Sequence, residues 1–183
     1  LVRSGRCEEA RGLLEPQDAD PLVEARIAEC SLAAGELERA VSELRAVVRR
    51  RAAAVDLFAA RFQLAEALAR TGACEEAIEV LTALVVERVE HPEAPHAMAA
   101  LEALNGGPVA LSFVQRMRRV ERLMDVRRYD EALAELETAG RPGNRTELRE
   151  WLHLKGMALY RARHHYAEAA RVLAESAALG GPH

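Results

Sequence analysis

Aromatic side chains make up only 4% of this 183-residue chain, although half of its residues are hydrophobic. A core of that composition must be built from Ala, Leu and Val, small side chains that suit closely approaching helices. The scarcity of rings therefore points to an all-helical protein. Lysine is almost missing, Lys155 being the only one among 25 basic residues. No single function needs arginine everywhere, so its spread, with the abundant alanine, reads as compositional bias of the gene. The net charge of −4 lacks the positive excess of a dedicated nucleic-acid or anionic-membrane binder. No run of about 18 apolar residues occurs, so no stretch is suited to cross a membrane as a helix. The common phosphate-loop, dinucleotide and serine-hydrolase signatures are absent, and no cofactor is expected. The chain opens on Leu-Val-Arg with neither an initiator Met nor a signal-like stretch, which leads us to expect a segment of a longer protein.

Cysteine is scarce as well. Cys7, Cys30 and Cys74 make an odd set without C-x-x-C spacing, which argues against a disulfide framework and further against zinc. Two of the three sit in nearly the same six residues, "GRCEEA" at 5 to 10 and "GACEEA" at 72 to 77. The stretch recurs as "GELERA" at 35, "RRYDEA" at 127 and "HHYAEA" at 164. Its last column is Ala every time: Ala10, Ala40, Ala77, Ala132 and Ala169. Its third column, Cys7, Leu37, Cys74, Tyr129 and Tyr166, shares bulk and no reactive chemistry. The cysteines are accordingly read as hydrophobic fillers.

Each copy is followed by an amphipathic pattern. After "GELERA", Leu37, Val41, Leu44, Val47 and Val48 fall on one helical face, and Ile78, Leu81, Leu84 and Val85 repeat this after "GACEEA". Leu133 with Leu136, and Val172 with Leu173, continue it. Each copy is preceded by a second helical pattern, such as "DLFAARFQLAEALARTG", that is expected to end at a Gly able to adopt a left-handed cap. The unit is helix, tight turn, helix.

This order resembles the tetratricopeptide repeat, on Leu64, Ala65, Leu68, Gly72, Ala77 and Leu81 in one unit and Ile27, Ala28, Ser31, Gly35, Ala40 and Leu44 in another. The resemblance implies an all-α fold of antiparallel helix pairs stacked as a right-handed superhelical solenoid. Intervals of 30, 37, 55 and 37 residues between copies make the array irregular. The long interval holds "EAPHAMAALEAL" and the turn signal "NGGP", so the expected lobes are residues 1 to 104 and 109 to 183, joined by a turn at 105 to 108. The spacing of ten from Gly156 to Tyr166, against nine elsewhere, indicates one inserted residue at the last turn, around His164 and His165.

Residues 112 to 183, with "RYDEALAEL" and then "GMALYRARHHYAEAARVL", resemble the superhelical region of soluble lytic transglycosylases. In that family such an array precedes a lysozyme-like domain that cleaves peptidoglycan in the periplasm. The resemblance implies a non-catalytic scaffold in a periplasmic protein. No residue here matches the motif around the family's catalytic glutamate, so no catalytic residue is assigned. A free-standing adaptor that binds a partner peptide, cytoplasmic in that case, is the alternative. The expected partner is a protein or peptide, with peptidoglycan a further candidate and nucleic acid none.

Paired carboxylates such as Glu8 with Glu9 and Glu75 with Glu76 open second helices, where negative charge suits the helix dipole. "HPEAPH" at 91 to 96 reads as a loop and not as a metal face, so no metal ligand is named. Arg49 to Arg51 close a helix, while Arg116, Arg118, Arg119, Arg122, Arg127 and Arg128 are read as a solvated face. Trp151 reads as packing. Partner contacts in helix-pair solenoids fall on exposed residues of first helices lining the concave face. By that analogy Arg61, Glu66, Arg70, Glu150, His153 and Tyr160 are the candidate binding residues. The chain closes on "LGGPH" directly after a helical pattern, and the array is expected to continue into more protein or to meet a partner there.

Overall fold

In the computed structural model, residues 20–163 and 165–180 are described, and among them every regular element is an α-helix. The first copy of the repeated stretch, with Cys7, Glu8, Glu9 and Ala10, lies outside the described residues, as does His164. The helices are α1 (Pro21–Ala34), α2 (Leu37–Arg50), α3 (Leu57–Arg70), α4 (Cys74–Glu87) and α5 (Ala94–Asn105), then α6 (Phe113–Asp125), α7 (Tyr129–Ala139), α8 (Arg145–Arg161) and α9 (Tyr166–Gly180). They form two compact units. Among the described residues, one holds those through Leu84 together with His91–Val109, and the other holds Val85–Glu90 and those from Ala110 on.

Local chemistry starts the helices where the sequence supplies a cap. The carboxylate of Asp20 accepts from the Leu22 N–H at 2.9 Å, with Pro21 opening α1. Asp56 accepts from the N–H groups of Phe58 and Ala59 at the start of α3, and Asn144 from those of Thr146 and Glu147 at the start of α8. Ser112 and Gln115 form a reciprocal capping box on α6. These bonds satisfy N–H groups that have no partner within the helix.

The hairpin turns follow one scheme. A residue in the left-handed region ends the first helix, and in three hairpins the second helix begins two residues later. Gly35 (φ 80°) leads to Leu37, Gly72 (φ 86°) to Cys74, and Arg127 (φ 63°) to Tyr129. At the last hairpin Arg163 (φ 63°) leads to Tyr166, one residue further on, which is the insertion the Gly156 spacing indicated. Seven residues before each left-handed position lies a buried small or branched residue: Ala28, Ala65, Val120 and Gly156. The alanine column of the repeat is buried throughout the described copies, with Ala40, Ala77 and Ala132 at 0% exposure and Ala169 at 1%. Side chains this small on facing helices let the backbones approach.

In the first unit α1 packs on α2, α2 on α3, and α1 also touches α3. In the second, α6 packs on α7, α7 on α8 and α8 on α9, with α6 also touching α8. The contact between alternate helices is the arrangement that stacks one hairpin on the next. Gly156 marks the tightest approach, because a Cβ there would meet Leu173 Cγ of α9 at 2.6 Å and Leu173 N at 3.3 Å. Gly156→Ala gains about 1 kcal/mol of helix propensity and loses about 1–3 kcal/mol to overpacking. The net result expected in urea denaturation is a loss, and a gain would mean that Leu173 swings aside freely.

Two arginines of α6, Arg116 and Arg119, depart from their reading as a solvated face, while Arg118 and Arg122 are exposed as expected. Arg116 and Arg119 both bond Glu135 of α7, at 2.6 and 3.2 Å, and their side chains are only 17% and 18% exposed. Arg119 also donates to the Val85 carbonyl, and Arg128 to that of Val89 at 2.6 Å. Arg118 and Arg122 pair with Glu87. These bonds, with Val89 inside the core beside Met117, Val120, Leu123 and Trp151, tie residues 85–90 to the second unit. Helical periodicity reported only that the arginines avoid the innermost stripe. It did not report that a neighbouring segment offers carbonyl and carboxylate acceptors at the border of that stripe.

Candidate functional site

The six candidate binding residues lie on two helices in different units, three on each. On α3, Glu66 and Arg70 are one helical turn apart and pair with each other at 3.7 Å. Arg70 also donates to the Leu32 carbonyl at 3.3 Å, so its charge serves the first unit's own structure. Arg61 is half-buried and makes no ion pair among the described residues.

On α8, Glu150 and His153 are exposed and line one groove of about 560 Å³ together with Thr146 and Arg149 of α8 and Leu173 and Ser176 of α9. Burial, and then repulsion from Glu121 and Glu147, holds the Glu150 carboxyl above the usual carboxylate range. A cationic partner group placed there would relieve the repulsion. Tyr160 does not share this groove. It lies in the last turn of α8 and lines a second groove of about 890 Å³ at the turn ends of the second unit, with Tyr129, Tyr166 and Arg127. Neither Tyr129 nor Tyr166 was singled out from the sequence as a binding residue. The signal was available in the repeat, since both tyrosines occupy its third column directly after left-handed turns that carry no glycine.

The cysteine readings need correction. Cys30 is disulfide-bonded. An odd count of cysteines and the lack of C-x-x-C spacing could not show that a residue half-buried on α1 would be bridged, because bridging depends on spatial approach. Cys74 is free and exposed at the first position of α4, so it fills no core. Its column begins the second helix of each hairpin, and the burial belongs to the alanine three residues on. We expect a maleimide to label Cys74 promptly in the native protein and Cys30 only after reduction and unfolding, as read by peptide mass spectrometry.

The histidines of "HPEAPH" serve separate partners. His91 stacks on Phe58 with ring centroids 3.9 Å apart and contacts Asp56 Oδ2 at 3.3 Å. Burial pushes the Asp56 carboxyl up, but the Ala59 and Phe58 N–H groups and His91 together outweigh this and hold it below its ordinary value. His96 lies within α5, not in a loop, and pairs with Glu93 at 2.7 Å. Among the described residues no three His, Cys, Asp or Glu side chains are grouped to hold a metal ion, and no helix is long and apolar enough to cross a membrane. Trp151 is 6% exposed, and its indole N–H donates to the Leu136 carbonyl at 2.9 Å.

The fold and its turns define a class, an all-α protein of antiparallel helix hairpins with a left-handed residue at each hairpin turn, and that assignment rests on the geometry of the chain itself. No known protein family and no curated protein matches the sequence. Among solved structures, the chain is similar to TPR-like repeats of a putative kinesin light chain from Podosopora anserina, at 21% identity and a TM-score of 0.44, over 97% of this chain and 88% of that one. It is similar to MamA MSR-1 C2 at 15% identity and a TM-score of 0.36, over 98% and 90% of the two chains. PlcR of Bacillus thuringiensis, solved in complex with the peptide PapR7 and DNA, follows at 13% identity and a TM-score of 0.37, over 97% of this chain and 63% of that one.

Proposed function

We propose that this chain is a non-catalytic interaction scaffold whose first helices present a partner-binding face. The observation that carries the proposal is the groove on α8 and α9, where Glu150 and His153 stand exposed above a packed hairpin. A rigid helix pair holds such side chains in place, so a partner meets them with little ordering cost. On α3, Arg61 is the corresponding cation, half-buried and without an ion pair among the described residues.

The resemblance of residues 112 to 183 to lytic transglycosylases extends the proposal to a periplasmic segment of a wall-cleaving protein. The disulfide at Cys30 supports an oxidising compartment, since disulfides persist there and are rare in the cytosol. A free-standing peptide adaptor remains the alternative reading. The test is titration of the purified chain with soluble peptidoglycan strands and with a displayed library of linear peptides. Saturable binding that weakens in Arg61→Ala or His153→Ala supports the scaffold, and the ligand class that binds selects between the two contexts. Equal affinity in both variants would remove the assigned face, and substrate turnover by the isolated chain would overturn the non-catalytic assignment.

A further inference from the structure

The turn ends of the second unit gather aromatic and cationic side chains, most of which the packing leaves exposed. All three tyrosines of the protein, Tyr129, Tyr160 and Tyr166, line the groove of about 890 Å³ together with Arg127, Arg161 and Arg163. Tyr160 and Tyr166 are each 55% exposed and meet edge to face, with centroids 5.7 Å apart. Tyr129 anchors the inner wall, half-buried against the core. The three arginines make no ion pair among the described residues, whereas Arg128, next to Arg127, is paired with Glu131 at 2.5 Å. Asp130 is the one carboxylate among the described lining residues, so the groove carries three cations against one anion.

The backbone adds an independent observation. Arg127 and Arg163 both hold φ of 63°, the position that glycine takes at Gly35 and Gly72 in the first unit. A side chain in the left-handed region is disfavoured, and such strain persists where the surroundings hold it; Arg51 at the end of α2 is the one other non-glycine residue in that region among those described. Here both strained residues place a guanidinium at the same groove.

We infer that this groove docks a linear acidic peptide carrying an apolar or aromatic anchor. Guanidinium groups take carboxylates in paired hydrogen bonds, and exposed tyrosine rings take an apolar side chain while their hydroxyls stay wet. Tyrosine and arginine are also the residues that dominate interface energetics. A groove of this volume accepts a few side chains. The net charge of −4 disfavours a polyanion that must follow a basic track, and so favours a short acidic segment over a nucleic-acid strand. The inference deepens the scaffold reading by assigning a site and a partner chemistry, and it uses a surface separate from the Glu150 and His153 groove.

Its test exploits the strain. Arg127→Gly with Arg163→Gly removes two charges while relieving two left-handed residues, so the melting temperature is expected to rise by a few degrees. The probe is a fluorescein-labelled peptide of alternating Glu and Phe, followed by anisotropy, with the corresponding Lys and Phe peptide and oligothymidylate as comparisons. We expect saturable binding of the Glu peptide alone, weakened about tenfold or more in the double glycine variant and in Tyr160→Ala. Absence of binding, or equal binding by the stabilised variant, overturns the inference. Binding that falls in His153→Ala and not in the glycine variant keeps the scaffold and rejects this groove. Tighter arginine-dependent binding of oligothymidylate assigns the groove to single-stranded nucleic acid instead.

Discussion

Trp151→Ala is expected to remove about 3–5 kcal/mol of unfolding free energy from the second unit. The indole is 6% exposed and belongs to the cluster formed by Val89, Met117, Val120, Leu123, Leu136 and Leu152. Its loss opens a cavity that helices bearing Leu and Ala cannot close without moving. It also leaves the Leu136 carbonyl without the indole donor, and Lys155 Nζ without the ring it covers at 4.9 Å. Trp151→Phe separates these contributions, since it keeps most of the bulk and deletes the hydrogen bond, for an expected loss of about 1–3 kcal/mol. Urea denaturation followed by far-UV circular dichroism suits both variants, because the protein's only tryptophan is the one replaced. A loss below about 1 kcal/mol for Trp151→Ala would contradict its place in the core.

Leu44→Ala is expected to cost about 2–5 kcal/mol in the first unit. Leu44 is fully buried on α2, on the same stripe as Ala40, Val41 and Val47, and α2 packs against both α1 and α3. Both neighbours lose contacts, so no single side-chain rotation refills the space. The adjacent Arg45→Ala is the control. Arg45 pairs with Glu76 at 2.5 Å, but both side chains are 43% exposed, and solvent-exposed pairs contribute about 0–1 kcal/mol. If Leu44→Ala costs less than about 0.5 kcal/mol, as at an ordinary surface position, the helical phase assigned to α2 is wrong.

Much of the architecture is legible in the chain as written. The alanine column, the small or branched residues seven places before each turn, and the caps at Asp20, Asp56, Ser112 and Asn144 are local or periodic signals, and each acts within one or two helical turns of itself. They carry the helix, turn, helix unit and even the inserted residue at the last turn. The candidate binding residues were placed on first helices by analogy with helix-pair solenoids, on helices that the same periodicity locates. It could not show that Arg70 also donates to the Leu32 carbonyl of α1, because periodicity locates a side chain on a face without revealing which acceptors stand opposite.

What the sequence by itself determined is therefore the all-α class, the hairpin unit and the residues that line its interior, since a 3.6-residue repeat and steric demands at turns are properties of short segments. Only the tertiary structure decided that Arg116 and Arg119 converge on Glu135, that residues 85–90 join the second unit, that Cys30 is bridged, and that three tyrosines and three arginines share one groove. Each of those depends on segments distant in sequence coming within a few ångströms. Hydrogen bonds, ion pairs and disulfides act only at that range.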